Sequence, residues 1–186
     1  MATITNLNDL FVDMLQDIYY AEMKILKALP KMAKSLDKDS TLAAAFEKHH
    51  QETEGQVERL EKIFELVGEE AKAKKCAALE GLAAEADDLM SSVDCKATLE
   101  AGLLAGAQAV EHYEMARYGT LVAWANILGY EEVSKLLQQT LEEEKKTDQT
   151  LNKMAMDAIN QKAFKAQQKR DEEGSRRPAP QTRHAA

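Results

Sequence analysis

The sequence predicts an all-α protein: a four-helix up-down bundle, with a short additional helix in the long connection between the second and third helices. Three observations carry this. The 186-residue chain is 45% hydrophobic and 30% charged, with 8 Gly, 3 Pro and 5% aromatic residues, and is rich in the Ala, Leu, Glu and Lys that favour helix. Its apolar residues recur every three or four positions through four long windows. Gly68 and Gly129 stand where two of those windows stop, as helix-ending glycines do. A chain of this length can bury a sizeable core as one domain.

Helix 1 is expected from Asn8 to Leu36, with Phe11, Met14, Leu15, Ile18, Ile25, Leu29 and Met32 in helical phase. Pro30 should kink it without ending it, because Met32, Ala33 and Leu36 keep the period. Asp39 or Ser40 can cap helix 2, which carries Leu42, Phe46, Val57, Leu60, Phe64 and Val67 and stops at Gly68. Helix 3 begins after Asp94, runs through Leu99, Leu103, Val110, Leu121 and Leu128, and ends at Gly129. Helix 4 starts near Glu131 and carries Val133, Leu137, Leu141, Leu151, Met154 and Ile159. Past Phe164 the pattern fails, so the bundle domain is expected over 1–165 and a charged, Pro-containing disordered tail over 166–186. Short turns join helices 1 and 2 and helices 3 and 4, making two antiparallel hairpins. Glu69 to Val93 forms the one long crossover, with an amphipathic segment around Leu79, Leu82, Ala83, Ala86 and Leu89. Two hairpins and one crossover make the ferritin-like arrangement.

The formal charge of −8 argues against nucleic acid as a partner, since phosphate binding needs a basic face. No apolar run approaches the roughly 20 residues of a membrane span, and the N-terminus has no charged-then-apolar signal pattern. Cys76 and Cys95 make neither a disulfide framework nor a metal-type cluster. A reduced, cytoplasmic protein is expected. No nucleophile–base pair, glycine-rich phosphate loop or Cys-x-x-Cys supports another enzyme class.

Four polar residues occupy positions where a bundle should carry leucine: Glu22, His49, Glu114 and Glu144. At about 100° per residue, Glu22 and His49 lie about 30° from their helices' mean apolar directions, and Glu114 and Glu144 close to it. His50 is about 70° off on the other side. Asp148 (about 50°) and Glu111 (about 60°) flank the stripe, level with each other. Glu52, on the His49 side, forms an (i, i+3) pair with it that can point at one ion. The lysines project outward, and only Arg117, about 60° off centre, can reach inward to pair with Glu114. One cation cannot balance three central carboxylates, and a buried unpaired ion costs several kcal/mol. A metal is the common compensator in such bundles. Oxygen and imidazole donors suit Fe, Mn or Zn, and one or two ions of Fe or Mn are expected among Glu22, His49, Glu52, Glu111, Glu114, Glu144 and Asp148. The competing reading is a protonated or water-filled network. Tyr19, Tyr20, Tyr113 and Tyr118 are read chiefly as packing residues.

The segments Tyr20-Ala21-Glu22, His49-His50-Gln51-Glu52-Thr53-Glu54-Gly55-Gln56, Val110-Glu111-His112-Tyr113-Glu114 and Leu141-Glu142-Glu143-Glu144-Lys145 resemble the YciE/YciF family of bacterial stress-induced proteins, over roughly residues 5–165. The resemblance implies a ferritin-like bundle, a homodimer, expression under osmotic or general stress, and metal binding. Ferritin-like di-iron proteins carry one Glu on two helices and Glu-x-x-His on the other two. Glu22 and Glu114 match the single-Glu positions. Glu47-Lys48-His49-His50 spells the second motif, yet Glu47 should face solvent. Helix 4 has no histidine after Glu144, so Asp148 would substitute. If redox-active, such a site would oxidise ferrous iron or turn over peroxide. The alternative function is a metal-free dimeric structural or interaction protein of the stress response.

Overall fold

The computed structural model describes residues 3–175. Helix α1 spans Leu7–Ser35, α2 Thr41–Val67, α3 Ala77–Ser92, α4 Lys96–Leu128 and α5 Glu131–Met154; a π-helical turn, Ala155–Ile159, joins α5 to α6, Asn160–Ser175. Each boundary has a local cause. The Asn6 side chain accepts from the Asp9 amide at 2.9 Å, while Asp9 accepts from the Thr5 amide at 2.9 Å, a reciprocal cap of the kind that satisfies helix-start donors. Ser40, not Asp39, caps α2, accepting from the Ala43 amide at 3.1 Å. Gly68 and Gly129 end α2 and α4 in the left-handed region, at φ 76° and 78°, which costs glycine nothing. Pro30 lies inside α1 without ending it.

Hairpin α1–α2 packs on hairpin α4–α5, with α1 beside α4 and α2 beside α5, so α1 and α5 are diagonal, as are α2 and α4. The crossover helix α3 lies across α1 and α4. Phe11, Leu15, Ile18, Leu42, Phe64, Leu103, Tyr118 and Leu121 are completely or almost completely buried between them, each contributing roughly 1.5–3 kcal/mol of hydrophobic stabilisation. This is the ferritin-like order expected from the loop lengths.

The helix does not stop near residue 165. Asn160 donates to the Ala155 carbonyl, five residues back, so the π turn takes in one residue more than an α turn, and α6 continues to Ser175. No residue of 160–172 is buried. This part of the expected tail is therefore helical through its Gln, Lys, Ala and Arg content, not through core packing. The rest of that tail, 176–186, lies outside the described residues. No helix among the described residues is long and apolar enough to cross a membrane.

Candidate metal centre

Midway along the bundle each long helix turns a polar residue inward. Glu22 from α1, Glu114 from α4 and Glu144 from α5 are 0% exposed, and His49 from α2 and Glu111 from α4 are nearly as enclosed. Candidate ligand atoms of His49, Glu111, Glu114 and Glu144 all lie within 4.8 Å of one another. His49 Nε2 stands 3.3 Å from Glu111 Oε1 and 3.9 Å from Glu144 Oε2. Tyr118 donates to Glu22 Oε1, and Gln56 donates to Glu144 Oε1 and, at 3.2 Å, to Glu143 Oε2. Glu143 is itself held by Arg59 at 3.0 Å.

These bonds leave most of the site unsatisfied. Glu22 Oε2, both His49 nitrogens, Glu111 Oε2, both Glu114 oxygens and Glu144 Oε2 are buried without a hydrogen-bond partner. Buried polar groups are ordinarily paired, so this concentration at one point is unusual. Desolvation drives the carboxyl pKa values upward: Glu22 and Glu111 rise from 4.5 to about 8, and Glu114 and Glu144 well above 4.5, with their mutual repulsion adding to burial. Burial alone would lower the His49 value, but Glu52, Glu144 and Glu22 together outweigh it and raise it. In the absence of a cation the centre is thus a cluster of partly neutral acids around one imidazole.

The other expected residues fall less centrally. Glu52 is at the margin: its Oε2 is 3.8 Å from His49 Nδ1, the nitrogen facing away from Glu111 and Glu144, and its other oxygen takes Lys48. His49, then Lys48, pull its pKa down to about 2. Asp148 Oδ1 stands 3.2 Å from the exposed His112, on the outer side of the α4–α5 seam, yet it too is buried without a hydrogen-bond partner. His50 stays at the surface beside Glu54, and Glu47 is exposed. Arg117 does not reach Glu114; its guanidinium lies 5.0 Å over the Tyr113 ring. Tyr118 is more than packing, since its hydroxyl bonds the site. Gln56 and Thr53, both 0% exposed, were not among the expected residues. Their signal was the strict four-three spacing Leu42, Phe46, His49, Thr53, Gln56, Leu60, Ile63, which places both on the inner seam.

Residues 6–164 match the family described as a domain of unknown function, DUF892. Protein YciF of Escherichia coli K12 is 42% identical over 158 residues, covering 84% of this chain and 95% of that protein. The crystal structure of the E. coli stress protein YciF superposes with TM-score 0.80 at 41% identity, over 84% of this chain and 99% of that one. The YcfI structure from Rhodopseudomonas palustris gives TM-score 0.78 at 43% identity, over 80% and 94%.

Proposed function

From the premise that the chain belongs to the DUF892 family and is a homologue of the stress protein YciF, we propose that it is a stress-response protein holding one or two divalent metal ions, Fe or Mn, in its bundle core. The observation that carries this reading is the convergence of unpartnered buried oxygens and nitrogens of His49, Glu111, Glu114 and Glu144, from three helices, on one point; Glu22 of α1, with Oε2 also unpartnered, lies outside that tight group. A cation supplies in one step the partners those atoms lack, and it offsets the charge that burial otherwise forbids.

The donor chemistry fits. Glu22, Glu111, Glu114 and Glu144 offer hard oxygens and His49 one imidazole nitrogen, a mixed set suited to Fe or Mn better than to a thiolate-seeking ion. Ligating histidines almost always donate their second ring N–H to a carboxylate, a backbone carbonyl or water. Glu52 stands on that side of His49, which makes it an orienting residue, while Tyr118 and Gln56 fix the rotamers of Glu22 and Glu144. Asp148, turned to His112, is left out of the inner set. When bound, a redox-active ion here would supply oxidation of ferrous iron or turnover of peroxide, held among side chains that are almost fully buried.

The test is elemental analysis of protein purified from cells grown with added iron or manganese, beside a Glu111→Gln/Glu144→Gln double variant. Stoichiometric metal in the wild type and its loss in the variant support the reading. No transition metal in either protein refutes it and leaves a metal-free interaction protein with a protonated core.

A further inference from the structure

Two cavities, each of about 50 Å³, end on His49 and Glu111 from different sides. One opens between α2 and α5 past Lys48, Glu52, Lys146 and Thr147. The other runs beneath the crossover helix α3, between α1 and α4, and its walls are almost entirely apolar, with Ile25, Leu29, Leu82, Ala86 and Gly106 among them. Its inner end is polar: His49 and Glu111 are 5% and 2% exposed, and both carry atoms without a partner.

The geometry points to the second cavity as an access path for dioxygen to the His49–Glu111 edge of the centre, an inference that rests on the metal-holding function proposed above. Size sets the class. One water needs roughly 10–15 Å³ of such space, so a cavity of about 50 Å³ takes a diatomic gas or a few waters, not an organic substrate. Wall chemistry narrows it. Dry apolar cavities bind nonpolar gases and small apolar molecules, whereas hydrogen peroxide would forfeit its hydrogen bonds with water there and has the Lys48–Glu52 mouth instead. The path is kept open by small residues. A Cβ added at Gly106 would meet nothing within 4 Å, so the space beside this helix residue is empty where a larger side chain would fill it. At the outer end Lys24, which lines the cavity, is tied by a 2.7 Å ion pair to Glu80 of α3, fastening the covering helix over the opening.

The test fills the path without touching a candidate ligand, using Gly106→Leu on α4 and, separately, Ala83→Phe on α3. In the metal-free protein, xenon stands in for dioxygen. Methyl resonances of Ile25 and Leu82, which line this cavity and not the other, should shift saturably under xenon pressure in the wild type and not in either variant. In the iron-loaded protein, two ferrous ions each give one electron and dioxygen takes two protons to leave as hydrogen peroxide. That oxidation should slow at least tenfold in both variants, at unchanged iron content, while oxidation by added peroxide keeps its rate. No xenon response in the wild type, an unaltered dioxygen rate in folded variants, or equal slowing with peroxide would each overturn the path. Protein that takes up no iron defeats the metal reading alone, and the xenon arm still decides whether the cavity admits a gas.

Discussion

Replacing Glu114 by Gln isolates the charge at the centre from its shape. The side chain is 0% exposed and neither carboxylate oxygen has a partner, while burial, Glu22, Glu144 and Glu111 all oppose its ionisation. An amide of the same outline removes one acid from this mutual repulsion and brings an N–H₂ that can donate to Glu22 or Glu144. Each pH unit by which burial and its acidic neighbours hold the Glu114 pKa above the unfolded value costs the folded state about 1.4 kcal/mol near pH 8, a cost the amide does not carry. For a chain of this size 1 kcal/mol moves Tm by about 2–4 °C, so metal-free Glu114→Gln should melt at least about 2 °C above metal-free wild type near pH 8. Metal acts in the opposite sense. An ion at a hundred times its Kd adds about 2.7 kcal/mol, a rise of about 5–11 °C, which the wild type should show with Mn(II) and the variant should largely lose. Thermal melts with and without Mn(II), with metal counted by elemental analysis, read both effects. A variant with the wild-type metal shift, or one less stable than wild type when both are metal-free, would refute the reasoning.

Stability of the metal-free protein should fall as pH rises from about 4.5 to about 8, since Glu22 and Glu111 hold protons in the folded state that the unfolded chain has released. The slope is about 1.4 kcal/mol per pH unit for each such proton, and urea melts at stepped pH would contradict it by showing a flat or rising trend. Tyr118→Phe strips Glu22 of its donor and should cost about 1–3 kcal/mol in the same melts, without abolishing metal uptake. Two glycine variants should move in opposite directions by thermal melt. Gly129→Ala, at φ 78°, should lose about 1–2 kcal/mol, whereas Gly55→Ala, inside α2 with open space around it, should gain about 0.5–1 kcal/mol.

The fold was legible because its signals are local. Apolar spacing, two helix-ending glycines and three connection lengths define the hairpins and the crossover without knowledge of any distant contact. The inward setting of Glu22, His49, Glu114 and Glu144 was legible for the same reason, as a phase on a single helix. Glu111 sits deeper than its phase of about 60° implies, at 2% exposed, because α4 touches α1, α3, α5 and α6. Its apolar residues therefore spread round the helix, and their mean direction marks the core poorly. Glu52 lies farther from the centre than its pairing with His49 implies, because phase says nothing of a nearby lysine, and Lys48 draws it outward. The run of helix beyond residue 165 leaves no such trace, because apolar periodicity marks only a helix that buries a face, and residues 165–172 bury none.

The π turn at Ala155–Ile159 has a consequence for tolerance to length change. Because it houses a surplus residue, everything after it is rotated by about 100° from where an unbroken α-helix would set it. The rotated frame is the one in which Lys162 meets Glu100 at 2.9 Å, opposite the Ser40 hydroxyl at 2.6 Å, so the cap of α2, a carboxylate on α4 and the first turn of α6 share one knot. Excising a single residue from the turn would leave a smoother helix and a worse protein. The lysine would swing off its partner and leave an acid that is only 4% exposed with no cation and the Ser40 hydroxyl as its remaining donor.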